Sequence, residues 1–120
     1  MRLRLLSSFR QRLLGLHACA EPAEHEGVWL VPCAAIHTFL LPYAVDVLFL
    51  DSAYRVMGRR HELPPNRMAW HWGAASVVEL PGGYCRRHPD HAFRVREAAV
   101  AMRPITDRRC RPGDSWRRRR

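Results

Sequence analysis

Two stretches hold the residue types that do chemistry. In PCAAIHTFLLPYAVDVLFLD, residues 32–51, Cys33 and His37 stand four apart and Asp46 sits inside an otherwise apolar run. A thiol and an imidazole at that spacing could form a thiolate–imidazole pair or give two ligands to a metal. Zinc takes three or four ligands, so the pair alone makes no centre. A cysteine beside Pro32 is more simply a small apolar filler. The second stretch, Cys85-Arg86-Arg87-His88-Pro89-Asp90-His91, has CxxH and HxxH spacing. Its two arginines would repel a cation, and Pro89 restricts the backbone. The expectation is no metal and no cofactor.

Asp46 poses the sharper question. A buried charge must be paired or well hydrogen-bonded, because leaving it alone is expensive. Its candidate partners are His37, Thr38, Arg67 and backbone amides. If Asp46 orients His37, the pair could serve a hydrolase or transferase, with Cys33 as a further participant. If it meets amides, it is a structural clamp, and the clamp is the expectation. Cys33, His37, Thr38, Asp46, Arg67 and Glu79 together make the candidate polar cluster. Trp70-His71-Trp72 places two indoles on one side of a strand. Core filling is their expected role, and a stacking platform for a sugar, base or peptide is the alternative. The chain has no Gly-rich phosphate loop, no Gly-x-Ser-x-Gly elbow and no His-Glu-x-x-His helix.

These residues need elements to position them. A chain of 120 residues suits one domain with its own core. Val28–Val31 reads as a strand ended by Pro32, and residues 36–41 as a second one stopped by Pro42. VDVLFLD, residues 45–51, is the clearest strand, apolar on both faces and so covered on both. Asp51–Tyr54 predicts a turn, and residues 55–60 the returning strand of a hairpin. Residues 68–72 are extended, and residues 76–80 form a strand closed by Pro81-Gly82-Gly83. Residues 7–16 predict a short amphipathic helix. Phe93, Val95, Ala98, Ala99 and Met102 predict a C-terminal helix that Pro104 closes. The fold class is thus mainly β (α+β): a small antiparallel barrel-like or sandwich domain of five or six strands with a helix at each end. The divisions are a basic segment over 1–9, one compact domain over 10–102 and an Arg-rich tail over 103–120, expected to be disordered.

Charge and hydropathy exclude several classes. The net charge of +9 lies in the ends: +4 over residues 1–12 and +6 over 103–120, against −1 between them. A specific nucleic-acid binder would carry its basic patch on the folded body. Residues 33–51 approach a membrane-spanning length of about 20. Asp46 there would cost roughly 2.5–3.5 kcal/mol, and Pro42 would break the helix. At the N-terminus, Ser7, Ser8, Arg10, Gln11 and Arg12 interrupt the apolar run of about 7–15 residues that an export signal needs. The four cysteines are scattered, without a disulfide framework. A cytoplasmic monomer with reduced thiols is expected, its partner an unidentified protein or small molecule.

Three blocks in order carry a resemblance. They are Cys33-x-x-Ile36-His37-Thr38-Phe39, Val45-Asp46-Val47-x-Phe49-Leu50-Asp51 and Val77-x-Glu79-Leu80-Pro81-x-Gly83, preceded by Arg12-Leu13-Leu14-Gly15-Leu16. Over residues 10–85 the chain resembles the prokaryotic family named domain of unknown function one-nine-two. The resemblance implies a compact, mainly β, barrel-like domain and no established reaction. The genomic setting of some relatives, near pilus-assembly genes, hints at a cell-envelope role. The first expectation for function is a non-enzymatic binding or accessory module whose pocket or groove, near His37, Asp46 and Arg67, engages an unidentified ligand or partner. Three departures stand out. Leu41 replaces the usual Met. Ala53-Tyr54 replaces an Asp-Gly turn, and since Tyr disfavours positive φ another turn type is expected. YCRRHPDHAFRVREAAVAM, after Gly83, replaces a closing strand with helix and opens the barrel. The Arg-rich tail supplies the one cheap polyanion reading. It predicts salt-sensitive retention on heparin, lost when residues 103–120 are deleted.

Overall fold

The computed structural model describes residues 1–6, 23–39 and 41–110, with residue 6 and residues 103–110 as backbone only. The described strands are β1 (Arg2–Leu6), β2 (Glu26–Leu30), β3 (Ala35–His37), β4 (Val45–Leu50), β5 (Val56–Leu63), β6 (Met68–Trp70) and β7 (Ser76–Pro81). Two helices follow, α1 (Tyr84–Arg87) and α2 (His91–Cys110). Five strands form one sheet in the order β1-β2-β7-β4-β5, and β3 and β6 form a separate antiparallel pair. The fold is mostly β with a C-terminal helix, as the periodicity predicts.

The sheet is not a barrel. Its edge strands β1 and β5 do not pair with each other. Closure is unnecessary because each face is covered by another layer. On one face Leu48, Leu50, Val78 and Leu80 pack with Trp29, Tyr84, Val95 and Ala99, under the helices. On the other, Val45, Val47, Phe49 and Val77 pack with Ile36 and Ala69 of the β3–β6 pair. This two-sided cover explains why all six residues of β4 and all six of β7 are buried.

Several expectations change. Arg2–Leu6 is not a basic segment outside the domain. It is an edge strand running parallel to β2, with Leu3 buried in the core. Its Arg-Leu-Arg-Leu alternation is a period-2 strand signal. The helix expected over 7–16 lies outside the described residues. The strand expected over 36–41 shrinks to Ala35–His37 and joins neither β2 nor β4, pairing instead with β6. In α2 the buried line is His91, Val95 and Ala99, whereas Phe93 is 66% exposed. The helix also continues through Pro104 to Cys110. Proline there removes one backbone donor but does not end the element. Residues 111–120 of the tail lie outside the description.

The β4–β5 turn also departs from expectation. Tyr54 adopts φ 65°, the left-handed conformation that its side chain disfavours. Asp51 holds it there: its carboxylate accepts the N–H groups of Ala53 and Arg55 at 2.8 and 2.9 Å, and its carbonyl accepts Tyr54 N–H at 2.9 Å. The Tyr54 ring stands edge-on to Trp29, with centroids 5.5 Å apart. A turn closed by a side chain, followed by a left-handed residue, is a recognised three-residue hairpin solution.

Candidate functional site

Strand parity puts Asp46 beside Leu48 and Leu50 on the helix-covered face of the sheet. The carboxylate is fully buried. Oδ1 accepts Glu62 N–H and Gly83 N–H, each at 2.8 Å, and Oδ2 accepts Cys85 N–H at 2.8 Å. Burial pulls this carboxyl upward, but the three backbone donors outweigh it and hold it below its ordinary value. Asp46 is therefore a clamp, and its partners are backbone amides rather than His37, Thr38 or the Arg67 side chain.

Two local distortions aim those amides. The β4–β5 register shifts between Val45 and Val47, so His61 and Glu62 of β5 together oppose Asp46. Glu62 takes φ 49° in this bulge and turns its N–H toward the carboxylate. Gly83 takes φ 84° at the start of α1. A Cβ there would meet the Arg87 guanidinium at 2.7 Å and the Glu62 carboxylate at 3.1 Å, so only glycine fits without strain.

The same distortions bring two further side chains to Asp46. Ligand atoms of Asp46, His61 and Cys85 all lie within 4.8 Å of one another. Cys85 is buried and its thiol hydrogen-bonds the Asp46 carboxylate. Burial first, then the Asp46 charge, push that thiol up to about 12, with Arg59 acting weakly in the opposite sense. Such a thiol stays protonated and is a poor nucleophile. His61 is exposed at the edge strand. Nothing in the sequence joins these three residues, because the bulge that aligns them is invisible to strand periodicity.

The remaining predicted residues separate. Ile36 packs in the core on the opposite side of the sheet from Asp46, and His37 follows it on the same short strand. The His37 ring stacks on Phe39, with centroids 4.9 Å apart, and its Nδ1 finds no partner among the described residues. The fold does not bring His37 to Asp46. Cys33 donates its thiol proton to the Ala35 carbonyl at 2.9 Å. Thr38 is a second clamp: Oγ1 donates to the Pro64 carbonyl at 2.7 Å and accepts Arg67 N–H at 2.8 Å. Arg67 contributes its backbone, while its exposed guanidinium reaches, among the described residues, the Asn66 carbonyl beside it. The CxxH and HxxH spacings also split. His88 and Arg87 hold Glu24, the latter with two hydrogen bonds of 3.0 and 2.7 Å. His91 accepts Arg59 Nε–H at 2.8 Å and donates from Nδ1 to the His88 carbonyl.

Glu79 lies on β7 between Val28 and Val47, on the face away from the helices. It is 2% exposed, and its Oε2 has no hydrogen-bond partner among the described residues. Burial raises this carboxyl to about 7.

One surface runs against the expectation of core filling. In the β3–β6 pair, Ile36 and Ala69 point inward, so Ala35, His37, Met68 and Trp70 share the outer face. Trp70 is 57% exposed and Met68 59%, with Phe39 stacked beside His37. Trp72, two residues on, is 88% exposed. The two indoles do not fill the core.

The geometry defines a class of protein before any name: a mostly β domain of an open five-stranded sheet, a covering strand pair and a C-terminal helix, pinned by a buried aspartate. The chain belongs to the DUF192 family, described as an uncharacterised ACR, whose model matches residues 1–89. A comparison with curated proteins returns no match. Two solved structures are similar. One is a protein of unknown function from Novosphingobium aromaticivorans, with 22% identity and a TM-score of 0.63. The match covers 71% of this chain and 66% of that one, just under two thirds of its length. The other is described as a putative transcription regulator from Sinorhizobium meliloti, with 20% identity, a TM-score of 0.64 and 71% coverage of both chains. At these identities the likeness shows the fold alone. Among the described residues, no helix is long and apolar enough to cross a membrane.

Two outcomes follow from the buried carboxylates. Asp46→Ala leaves three inward-facing N–H groups without an acceptor and should lower unfolding free energy by roughly 3 kcal/mol or more, read from urea denaturation. Glu79 acts in the opposite sense to a clamped acid. Its folded pKa lies above its unfolded one, so the folded state binds a proton that the unfolded state releases between pH 4.5 and about 7. Stability therefore falls across that interval as pH rises, by up to about 3 kcal/mol. Glu79→Gln should remove this slope, and urea midpoints at pH 5 and pH 8 check it.

Proposed function

We propose that this domain is a non-enzymatic binding module, and that its contact surface is the outer face of the β3–β6 pair. The observation that carries the reading is the exposure of Trp70 and Trp72 beside Met68 and Phe39. Indoles expose a large apolar face that is costly to leave in water and adapts to planar or apolar ligand groups. The polar residues that could have argued for catalysis are occupied otherwise. Asp46 and Thr38 bind backbone, Cys33 bonds its own segment, and Cys85 holds its proton. The hydrolase or transferase reading built on His37 with Cys33 or Asp46 loses its geometry, because His37 and Asp46 serve opposite faces of the sheet.

The ligand class that fits is a protein segment or small molecule with a flat apolar surface. An envelope or pilus-assembly setting rests on the family resemblance alone, and the contact surface does not depend on it. The test is a fragment screen by NMR against flat glycans, nucleobases and aromatic peptides. Binding should shift the Trp70 and Trp72 indole signals, and the Trp70→Ala/Trp72→Ala double variant should keep its fold and lose the shifts. Ligands that perturb only the helical side, or turnover of a generic ester, phosphate or peptide substrate, would sink the reading.

A further inference from the structure

The surface above leaves one cluster unexplained, on the other side of the sheet. Asp46, His61 and Cys85 come from β4, β5 and α1, and their ligand atoms lie within 4.8 Å of one another. We propose that these three residues form a binding site for a thiophilic divalent cation, with Zn²⁺ as the natural candidate.

The donor set is the first argument. One thiolate, one imidazole and one carboxylate oxygen are a mixed set that zinc accepts in tetrahedral geometry, and three protein ligands leave a fourth position for water. A set containing sulfur and nitrogen disfavours magnesium and calcium, which take oxygen ligands.

Geometry is the second. Tetrahedral zinc with bonds of about 2.0–2.3 Å needs its ligand atoms roughly 3.3–3.8 Å apart. The cluster is wider than that by at most about 1.0–1.5 Å, and His61 is the exposed side chain that can swing inward. Asp46 and Cys85 are buried and fixed. The backbone amides of Glu62, Gly83 and Cys85 orient the carboxylate, the kind of outer support that ligating carboxylates use. The exposed edge strand that carries His61 gives the ion a path from solvent.

The third argument concerns the thiol proton. The Cys85 sulfur and an Asp46 carboxylate oxygen lie within 4.8 Å of each other, so a cation between them would meet both. On binding, the S–H bond breaks, the metal–sulfur bond forms and one proton leaves to solvent. Two guanidinium charges compete nearby: Arg59, whose Nε is engaged with His91, and Arg87, which also acts on Asp46 and is held by two hydrogen bonds to Glu24.

The site does not depend on the aromatic face. Its test uses the purified full chain in a non-chelating buffer, titrated with Co²⁺ and then with Zn²⁺ against a chromophoric chelator. The expected result is one ion per chain, with a near-ultraviolet thiolate-to-cobalt charge-transfer band. Cys85→Ser should abolish the band, while Cys33→Ser should keep it. His61→Ala, a change at an exposed position that leaves the fold intact, should weaken Zn²⁺ binding by about tenfold or more. No stoichiometric binding, a band that survives Cys85→Ser, or an affinity indifferent to His61→Ala would each overturn the assignment.

Discussion

The buried carboxylate of Asp46 is the constraint on which the rest of the structure depends. It is a charge inside an apolar sheet, and such a charge survives only if the protein replaces the water it lost. Three backbone N–H groups do so, from β5, from the turn after β7 and from the first helix. Each donor belongs to an element that would otherwise be free to choose another geometry. The carboxylate therefore sets the β5 bulge, the left-handed Gly83 and the direction in which the chain leaves the sheet. Thr38 repeats the device on a smaller scale, tying the loop over residues 64–67 to the end of β3.

The two faces of the sheet follow from this arrangement. The helix side is closed by α1 and α2, whose direction Asp46 anchors. The other side is closed by the β3–β6 pair, which is too thin to bury both of its own faces. Its inner residues Ile36 and Ala69 reach the core, so its outer ones cannot, and two tryptophans meet solvent. A strand pair covering a sheet is at once a lid for the core and a surface for something else. Glu79 shows the reverse case: a carboxyl on a central strand whose Oε2 finds no donor among the described residues, and which burial drives toward its neutral form.

Much of the fold was legible in the sequence. The runs at 28–31, 45–51 and 76–80 have the β-branched and aromatic content that leaves few alternatives to strand, and the turn at Pro81-Gly82-Gly83 is plain chemistry. The family blocks lie on those same elements. What failed were features in which tertiary context overrules a local preference. Tyr54 accepts positive φ because Asp51 and Trp29 hold it. Phe93 fits the helical spacing of the buried residues yet faces outward, because the sheet contacts the line through Val95 and Ala99 instead. Of the partners the sequence offered Asp46, the fold brings backbone amides to its carboxylate and leaves His37 with the strand pair across the sheet.

The sequence by itself determined a mainly β fold of the DUF192 family, with a buried aspartate that had to be hydrogen-bonded. Periodicity and composition suffice for the fold class and the buried aspartate, since they report which residues avoid water, and the motif blocks carry the family. Only the tertiary structure decided which groups meet that aspartate, that His61 and Cys85 stand beside it, and that Trp70 and Trp72 look outward. Those facts depend on register and on one extra residue in β5. A bulge shifts which side chains face one another without leaving a mark in the pattern of apolar residues.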